Sequence, residues 1–229
     1  MSAHHRSVTK EKEIMSINTY IKPKEATQIP EPGIARFLFA DTRMAWLWLI
    51  VRLYVGYQWL VAGIDKLTGY SIDIGSFGQK VGQPWVFSGH DGAAITGFVK
   101  GALAQTTGAH PAVQGWYGSF LQHVVLPNVA VFSYLVTFGE VLIGLGLIFG
   151  VLTGIAAFFG VFMNLNFLLA GAVSINPVIG TLALLLVLAW RVAGFYGIDS
   201  YLLPLLGTPW TGRLVHKKAL ANRVVPATH

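Results

Sequence analysis

The sequence predicts an all-α membrane protein: a four-helix transmembrane bundle with an external amphipathic helical lid. Of its 229 residues, 54% are hydrophobic and 11% are charged, whereas soluble domains carry about 25% charged residues. Four apolar segments are each long enough to cross about 30 Å of hydrocarbon. The connection between the first two segments contains apolar stripes at helical spacing. The length fits one compact bundle.

The four predicted spans cover residues 44–66, 129–149, 153–173 and 178–196. The link between the second and third, "GVLT", is so short that these two helices are expected to be antiparallel neighbours. Asn176 and Pro177 are expected to be the N-cap and the first-turn proline of the last span. The 26 glycines suit close contacts between helices in lipid.

The distribution of basic residues predicts the orientation. Seven Lys or Arg residues precede the first span and four follow the last, whereas the connection between the first two spans and its flank contain three. Because cytoplasmic segments carry the excess of Lys and Arg, both termini are predicted to be cytoplasmic and residues 68–128 to be external. The chain then consists of a partly disordered N-terminal tail (1–43), a membrane domain (44–210) and a basic cytoplasmic tail (211–229). The polar N-terminal stretch shows no cleavable signal peptide.

The external connection is predicted to contain two amphipathic helices that lie in the membrane interface. Apolar residues recur at i, i+3, i+4 and i+7 in "AVQGWYGSFLQHVVLP" and again in "DGAAITGFVKGALAQ", where Asp91 is a candidate N-cap. The two stripes consist of Val113, Trp116, Tyr117, Phe120, Leu121 and Val124, and of Ile95, Phe98, Val99, Ala102 and Leu103. Together the two helices form the predicted lid.

Composition excludes several kinds of chemistry. The chain has no cysteine, which rules out thiolate catalysis, thiol-ligated metals and cysteine-held Fe–S clusters on this chain. The net charge of +6 comes from residues that flank apolar spans, so no nucleic-acid partner is expected. The histidines lack a metal-binding spacing such as H-x3-H and none lies in a span, so neither a metal site nor a bis-histidine haem is predicted.

Several motifs in order resemble a known family. The first span, "RLYVGYQWLVAGIDKLTGY", has the spacing R-x3-G-x6-G-x2-K, and the distal half reads "GEVLIGLGLIFGVLTGIAAFFGVFMNLNFLLAG" and then "NPVIGTLALLLVLAWRVAGFYGIDSYLLPLLG". Over residues 44–210 this pattern resembles the DoxX/DoxD family, and "HPAVQGWYGSFLQHVVLPN" resembles DoxD in particular. The resemblance implies a four-helix subunit of a thiosulfate:quinone oxidoreductase in the prokaryotic cytoplasmic (inner) membrane. Such an enzyme oxidises thiosulfate to tetrathionate, uses quinone as electron acceptor and contains a DoxA-like second subunit.

Three ionisable residues are predicted to share one depth in the bundle. Arg52 lies about 12 Å from the cytoplasmic end of its span, and counting inward places Glu140 and Arg191 within a turn or two of that level. A lone charge there would cost at least about 3 kcal/mol, so a mutual triad is expected. The triad either fixes helix register or acts catalytically, since its spare positive charge could bind an anion or act on a quinone. Both interpretations remain open.

Further polar and aromatic residues are candidates for the site. Trp59, Trp116, Phe120 and His123 are the predicted quinone-binding residues. His123 lies at the edge of an aromatic stripe, and the competing interpretation is an interfacial histidine that contacts water. Structural polar roles are predicted for Asp65, Lys66, Asn164, Asn166 and Asp199, and amides inside spans usually form interhelical hydrogen bonds.

The leading expectation is therefore the quinone-facing membrane subunit of a thiosulfate:quinone oxidoreductase. Its redox partner would be a DoxA-like subunit or another protein, membrane lipid surrounds it, and self-association into a homo-oligomer is left open. Two other classes compete with this function. One is a non-catalytic DoxX-type membrane anchor for a soluble redox enzyme, and the other is a small anion carrier, although four spans without a visible inverted repeat are few for a carrier.

Overall fold

The computed structural model describes residues 32–207, and the regular elements in this range are helical. An isolated antiparallel bridge joins Tyr70 and Lys80. Two compact units divide the chain, Met1–Arg36 and Phe37–His229, and the site lies in the second. Predicted features that fall on the first 31 residues or beyond residue 207, including the C-terminal tail and most of the N-terminal tail (1–43), lie outside the described residues, whereas residues 33–40 of that N-terminal tail are helical.

Nine α-helices are present in the described range. The two longest are joined to short helical turns at their N-terminal ends, so that Thr42–Thr68 is a helical run of 27 residues and Gly115–Phe149 a run of 35 residues. The helices are α1 (Gly33–Ala40), α2 (Ala45–Thr68), α3 (Ala93–Ala104), α4 (Gly115–Phe120), α5 (Val129–Phe149), α6 (Thr153–Leu169), α7 (Asn176–Leu188), α8 (Trp190–Ala193) and α9 (Asp199–Leu205). A π-helical turn, Leu121–Val125, and a 3-10 turn, Leu126–Asn128, connect α4 to α5.

The first two predicted spans agree with the structure more closely than the last two. The helical runs that contain α2 and α5 are long and apolar enough to cross a membrane, and α5 has the predicted bounds. In contrast, α6 has 17 residues and α7 has 13. The predicted fourth span is interrupted at Ala189, between α7 and α8, and the third ends at Leu169, just before Gly171 with φ +80°. Asn176 is not the N-cap, because α7 begins at Asn176 and Ile175 precedes it as the cap, whereas Pro177 lies in the first turn as predicted.

Helix α2 packs antiparallel along α5, with glycines at the points of closest approach. A Cβ on Gly56 would lie 2.9 Å from Leu147 Cβ, and a Cβ on Gly144 would lie 2.6 Å from Leu60 N. Backbone atoms this close leave no room for a side chain, and small residues permit this kind of contact between membrane helices. Among the described helices, α2 and α5 share the most extensive packing interface, so this pair forms the centre of the bundle.

Helices α6 and α7 form the second closely packed pair, and both also contact the first. Asn164 of α6 lies against Gly180 of α7, where a Cβ would be 2.5 Å from Asn164 Oδ1. Trp59 of α2 reaches between the pairs and stacks on Phe167 of α6, with ring centroids 6.3 Å apart. Buried aliphatic residues of α2, α5 and α7 complete this core, among them Val55, Leu147 and Leu186.

A second hydrophobic cluster lies where α3 and α4 cover one end of α5 and α6. The predicted stripe on α3 is helical and buries Ile95, Val99 and Ala102. Its predicted N-cap is wrong: Asp91 accepts hydrogen bonds from Ser88 N at 3.0 Å and Tyr134 Oη at 2.8 Å, and no side chain caps the helix. Asp91 therefore ties this connection to α5.

The predicted stripe of residues 113–124 is helical but continues into α5 instead of forming a separate helix. Its buried face consists of Val113, Tyr117, Leu121 and Val125, whereas Trp116 is 65% exposed and Val124 is 43% exposed. The π-helical turn at Leu121–Val125 holds one more residue per turn than an α-helix, which rotates the face that continues into α5. A regular 3.6-residue count therefore misassigned Val124, which lies in this turn, whereas Trp116 precedes the turn.

Large apolar side chains cover the outward faces of α5 and α6. Leu142, Phe158 and Phe162 each expose more than half of their surface. Contiguous apolar surface of this kind is rare on soluble monomers and is typical of protein in contact with lipid.

Candidate functional site

The R-x3-G-x6-G-x2-K motif of the first span forms one continuous face of α2 against α5. Arg52, Gly56 and Gly63 are buried, and Lys66 is half-buried. The two glycines bring the helix backbones together, since a Cβ on Gly63 would lie 2.7 Å from Val141 N. The two basic residues occupy opposite ends of that contact. We refer to these ends as the Arg52 end and the Lys66 end.

At the Lys66 end, a buried carboxylate forms an ion pair. Lys66 Nζ lies 2.6 Å from Glu140 Oε2, with side-chain exposures of 18% and 2%. The same ammonium donates to Ala62 O at 3.3 Å and lies 5.1 Å from the ring centroid of Trp85. A cation over an indole face gains further electrostatic attraction. Lys66 is therefore held by three groups and screens Glu140 from the apolar surroundings.

The predicted triad of Arg52, Glu140 and Arg191 is wrong. Glu140 pairs with Lys66, and Arg191 is exposed, with its guanidinium 5.3 Å from the ring of its neighbour Trp190. Arg52 is buried and donates to Ala193 O at 3.2 Å, beside Gly150, whose carbonyl oxygen accepts a hydrogen bond from Asp199 N. The positions of these three residues do not show whether any of them takes part in catalysis, so that role stays a prediction.

The register of α2 and α5 explains the error. Gly63 lies opposite Val141, Gly56 opposite Leu147, and Arg52 against Gly150. Helix α5 therefore ends at the level of Arg52, whereas α2 begins at Ala45. The prediction assumed that the two helices end at one depth. The ten residues from Glu140 to Gly150 instead separate Glu140 from the level of Arg52 by about 15 Å.

At the Arg52 end, Asp199 closes the turn between α5 and α6. Its two carboxylate oxygens accept hydrogen bonds from Leu152 N at 2.6 Å and Thr153 N at 2.7 Å. Those amides belong to the start of α6 and have no partner within the helix. The turn is tight, because Gly150 has φ +66° and Leu152 has φ +48°. Asp199, predicted only as a structural polar residue, therefore satisfies a helix start from a distant part of the chain.

A large apolar cavity opens between α5 and α6 beneath α3 and α4. Its volume is about 770 Å³, within the range of small-molecule sites. Aromatic rings line much of it, including Phe98, Phe120, Phe132, Phe159, Phe162 and Phe167. Among its described lining residues, side-chain oxygen or nitrogen occurs on Tyr117 and Asn166 alone, and Tyr117 Oη lies 3.0 Å from Asn166 Oδ1.

The four predicted quinone-binding residues are not brought together. Phe120 lines the cavity. Trp59 is buried behind Phe167. Trp116 is mostly exposed, and His123 is exposed with Nδ1 2.9 Å from Ser119 O. Whether any of them binds quinone stays a prediction.

The predicted polar residues have different surroundings. Asn164 is buried, with Nδ2 3.4 Å from Asn176 Oδ1, and Asn166 joins α6 to α4 through Tyr117. Asp65 is half-buried beside Lys66 at the end of α2.

Sequence reasoning assigned no binding role to Tyr117 or Trp85, both of which contact these sites. Tyr117 was recognised as part of an apolar stripe, but its hydroxyl partner on α6 is 49 positions away. No local pattern signals that contact.

Comparison with known proteins identifies a family. The family model described as DoxX matches residues 47–173, a range that contains the α2 motif, the Lys66–Glu140 pair and the described residues that line the cavity. Searches of curated proteins and of solved structures found no match. Since the matched range covers more than half of the chain, the protein is a membrane protein of the DoxX family.

Proposed function

We propose that this chain is the quinone-facing membrane subunit of a thiosulfate:quinone oxidoreductase. The observation that carries the proposal is the aromatic cavity of about 770 Å³ between α5 and α6, which has the volume and apolar lining that a lipid-soluble ring would need. In the overall reaction, two thiosulfate ions lose one electron each and join through a new S–S bond. Quinone accepts the two electrons and two protons and becomes quinol.

The proposed arrangement places four helical segments, α2, α5, α6 and the interrupted segment of α7 and α8, across the prokaryotic cytoplasmic membrane. Both termini lie in the cytoplasm, and α3 and α4 form a lid on the external side. The apolar outward faces of α5 and α6 support lipid contact, and the basic residues near both chain ends support the orientation. The Lys66 end then faces outward, and the Arg52 end faces the cytoplasm.

In the proposed enzyme, a DoxA-like subunit or another redox partner at the external side oxidises thiosulfate. Electrons reach quinone held in the cavity of this chain. This assignment fits a chain without cysteine, because its own side chains then include no thiol that could form a covalent adduct with a sulfur substrate.

A non-catalytic anchor for a soluble redox enzyme is the alternative, favoured by the mostly exposed Trp116 on α4, an aromatic residue of the type enriched in interfaces. The structure removes the argument that favoured an anion carrier. Glu140 pairs with Lys66 and Arg191 is exposed, so these residues do not form the predicted triad with a spare buried positive charge.

Membranes from cells with and without this chain provide the test. We expect thiosulfate-dependent quinone reduction, followed by the absorbance of quinol, to be lost on deletion and restored by the full chain expressed in trans. Reduction of the same quinone by an unrelated dehydrogenase in those membranes is the control. Unchanged thiosulfate-dependent activity after deletion would reject the proposed function, and an anchor would leave the partner active but detached from the membrane.

A further inference from the structure

The cavity has an asymmetric distribution of polar groups. Its two polar side chains, Tyr117 and Asn166, lie at the end covered by α4, where Phe98 and Phe120 also contribute to the wall. The other end is lined by Phe149, Leu152 and Ile155. The 14 residues of α6 from Leu152 to Asn166 separate the two ends by about 20 Å. The cavity is therefore a long apolar groove with one polar end.

The polar pair retains unused hydrogen-bonding capacity. Tyr117 Oη donates to Asn166, at 3.0 Å from both its backbone oxygen and Oδ1, and the phenol oxygen can still accept. Asn166 Nδ2 donates one hydrogen to Phe162 O at 2.7 Å, and an amide nitrogen has two hydrogens. The pair thus offers one donor, on Asn166, and one acceptor, on Tyr117, at the same end of the groove.

These two groups match both redox forms of a quinone. A quinone carbonyl accepts a hydrogen bond and would use the free Asn166 N–H. A quinol hydroxyl also donates, and would use the Tyr117 oxygen. An acyl chain of a phospholipid has no polar group along its length that would use either.

We propose that Tyr117 and Asn166 bind the ring of a long-chain quinone at the α4 end of the groove, while its apolar tail runs along α5 and α6 toward Phe149 and Ile155. This inference rests on the proposed function for the choice of ligand. It adds the orientation of the ligand and two binding residues. Phe120 and Phe98 pack beside the ring, and aromatic side chains favour offset or edge contacts with it.

Binding to the purified full chain in detergent tests the ring position without thiosulfate or a partner. The probe is a benzoquinone with a decyl tail, in oxidised and reduced form, followed by equilibrium dialysis. We expect Tyr117→Phe to weaken binding of the quinol by about three- to tenfold and of the quinone by less, since it removes one neutral acceptor. Asn166→Leu is expected to weaken binding of both forms.

The matched control is Tyr134→Phe, which removes a tyrosine hydroxyl that bonds to Asp91 and does not line the cavity. It should leave both affinities unchanged. Equal affinities for wild type, Tyr117→Phe and Asn166→Leu, all as folded monodisperse protein, would overturn the ring position.

A second pair of variants tests the position of the apolar tail in the groove. Leu142 lines the groove and is 66% exposed, whereas Leu184 on α7 is 50% exposed and does not line it. Leu142→Trp should weaken binding of the decyl quinone more than binding of a tail-free benzoquinone, and Leu184→Trp should affect neither. An equal effect of the two tryptophans would overturn the tail path.

Phospholipid competition distinguishes the two sources of an apolar chain. If added phosphatidylethanolamine displaces the decyl quinone at equal concentration, and Tyr117→Phe has no effect, the groove is an ordinary lipid site and the inference fails. A failure of the proposed function would give a different result from a failure of this inference. Tyr117-dependent quinone binding with no thiosulfate-dependent activity would mean that the groove serves a different electron donor.

Discussion

Lys66 and Glu140 form a nearly enclosed pair whose two charges cancel. Moving either charge alone into an apolar region would cost several kcal/mol, whereas a close pair with an added hydrogen bond recovers much of that cost. Lys66 retains contact with solvent, because 18% of its side chain is exposed. The pair is therefore stable as a pair and unstable as either member alone.

Replacement of one member should be more damaging than replacement of both. Glu140→Gln leaves the Lys66 ammonium facing an apolar helix contact, and we expect a loss of about 3 kcal/mol in unfolding free energy, near the lower end of the range for broken buried pairs. The double variant Lys66→Met/Glu140→Gln should recover most of that loss. Thermal unfolding in detergent, with a chemical denaturation series, measures both values.

Arg52 supplies the control for this prediction. Arg52→Gln with Glu140→Gln should give additive losses, because about 15 Å along the helix axis separates Glu140 from the level of Arg52. Rescue of Glu140→Gln by Arg52→Gln instead of by Lys66→Met would show that the ion pair is wrongly assigned.

The carboxylate of Asp91 should make the connection between α3 and α5 less stable at acidic pH. Hydrogen bonds from Ser88 N and then Tyr134 Oη hold the pKa of Asp91 below its ordinary value of 3.8. A carboxylate whose folded pKa lies below its unfolded pKa adds stability above pH 3.8, and that stability is lost as the pH falls through the folded value. We expect the melting temperature of wild type to fall more steeply below about pH 4 than that of Asp91→Asn. Parallel curves for the two proteins would contradict this role.

At the scale of elements, the contact of α2 with α5 determines where Glu140 lies relative to Lys66 and Arg52. The sequence was sufficient to predict α5 itself, because its apolar run is bounded by Asn128 and Gly150. It was insufficient to predict which residue of α2 faces Glu140. That relation depends on where α5 ends along α2. The glycines are present in the sequence, but the contacts through which they determine the register involve both helices together.

Glycines at this contact should be far less tolerant than glycines elsewhere. Gly144→Leu places side-chain atoms on Leu60 N and Cα, at 2.6 and 2.8 Å from the first added carbon. Overpacking of a dense contact typically costs about 1 to 3 kcal/mol, and contact with backbone atoms places this variant at the upper end. Gly101→Leu on α3 is the control, since no atom lies within 4 Å of a Cβ there. Melting temperatures of the two variants are the measurement, and equal values would refute the close approach.

Prediction of the candidate site was incomplete for a related reason. Phe120 was expected at a quinone site and lines the cavity, but Tyr117 was assigned only to a stripe and Trp116 to binding. The contact of Tyr117 with Asn166 and the burial of the helix face that carries Val113, Tyr117 and Leu121 decide which of these side chains face inward. Both depend on tertiary packing, which a helical period does not contain.

At the scale of the whole molecule, charge and apolar surface are segregated. Exposed apolar side chains cover α5 and α6, whereas 11 of the 16 Lys and Arg residues lie before the first predicted span or after the last, seven and four respectively. This segregation predicts one orientation in the bilayer.

Reporter fusions test the orientation. A fusion at Gly108, in the connection between α3 and α4, should give the signal of the external side, and a fusion after His229 should give the cytoplasmic signal. A variant with Lys217, Lys218 and Arg223 replaced by Gln is the matched control and should weaken the preference. Reversed signals in the wild type would place α3 and α4 in the cytoplasm and reject the proposed external lid.

The bond from Asp199 to the turn between α5 and α6 has a consequence for synthesis of the protein. Leu152 and Thr153 leave the ribosome 46 residues or more before their hydrogen-bond acceptor, so the hairpin of α5 and α6 enters the membrane with two backbone amides that have yet to meet it. Unpaired amides are costly where water is excluded. The hairpin is therefore completed late, after the segment that carries Asp199 has emerged, and a released chain that ends at Gly194 should be a better substrate for membrane proteases than a released chain that ends at Gly207.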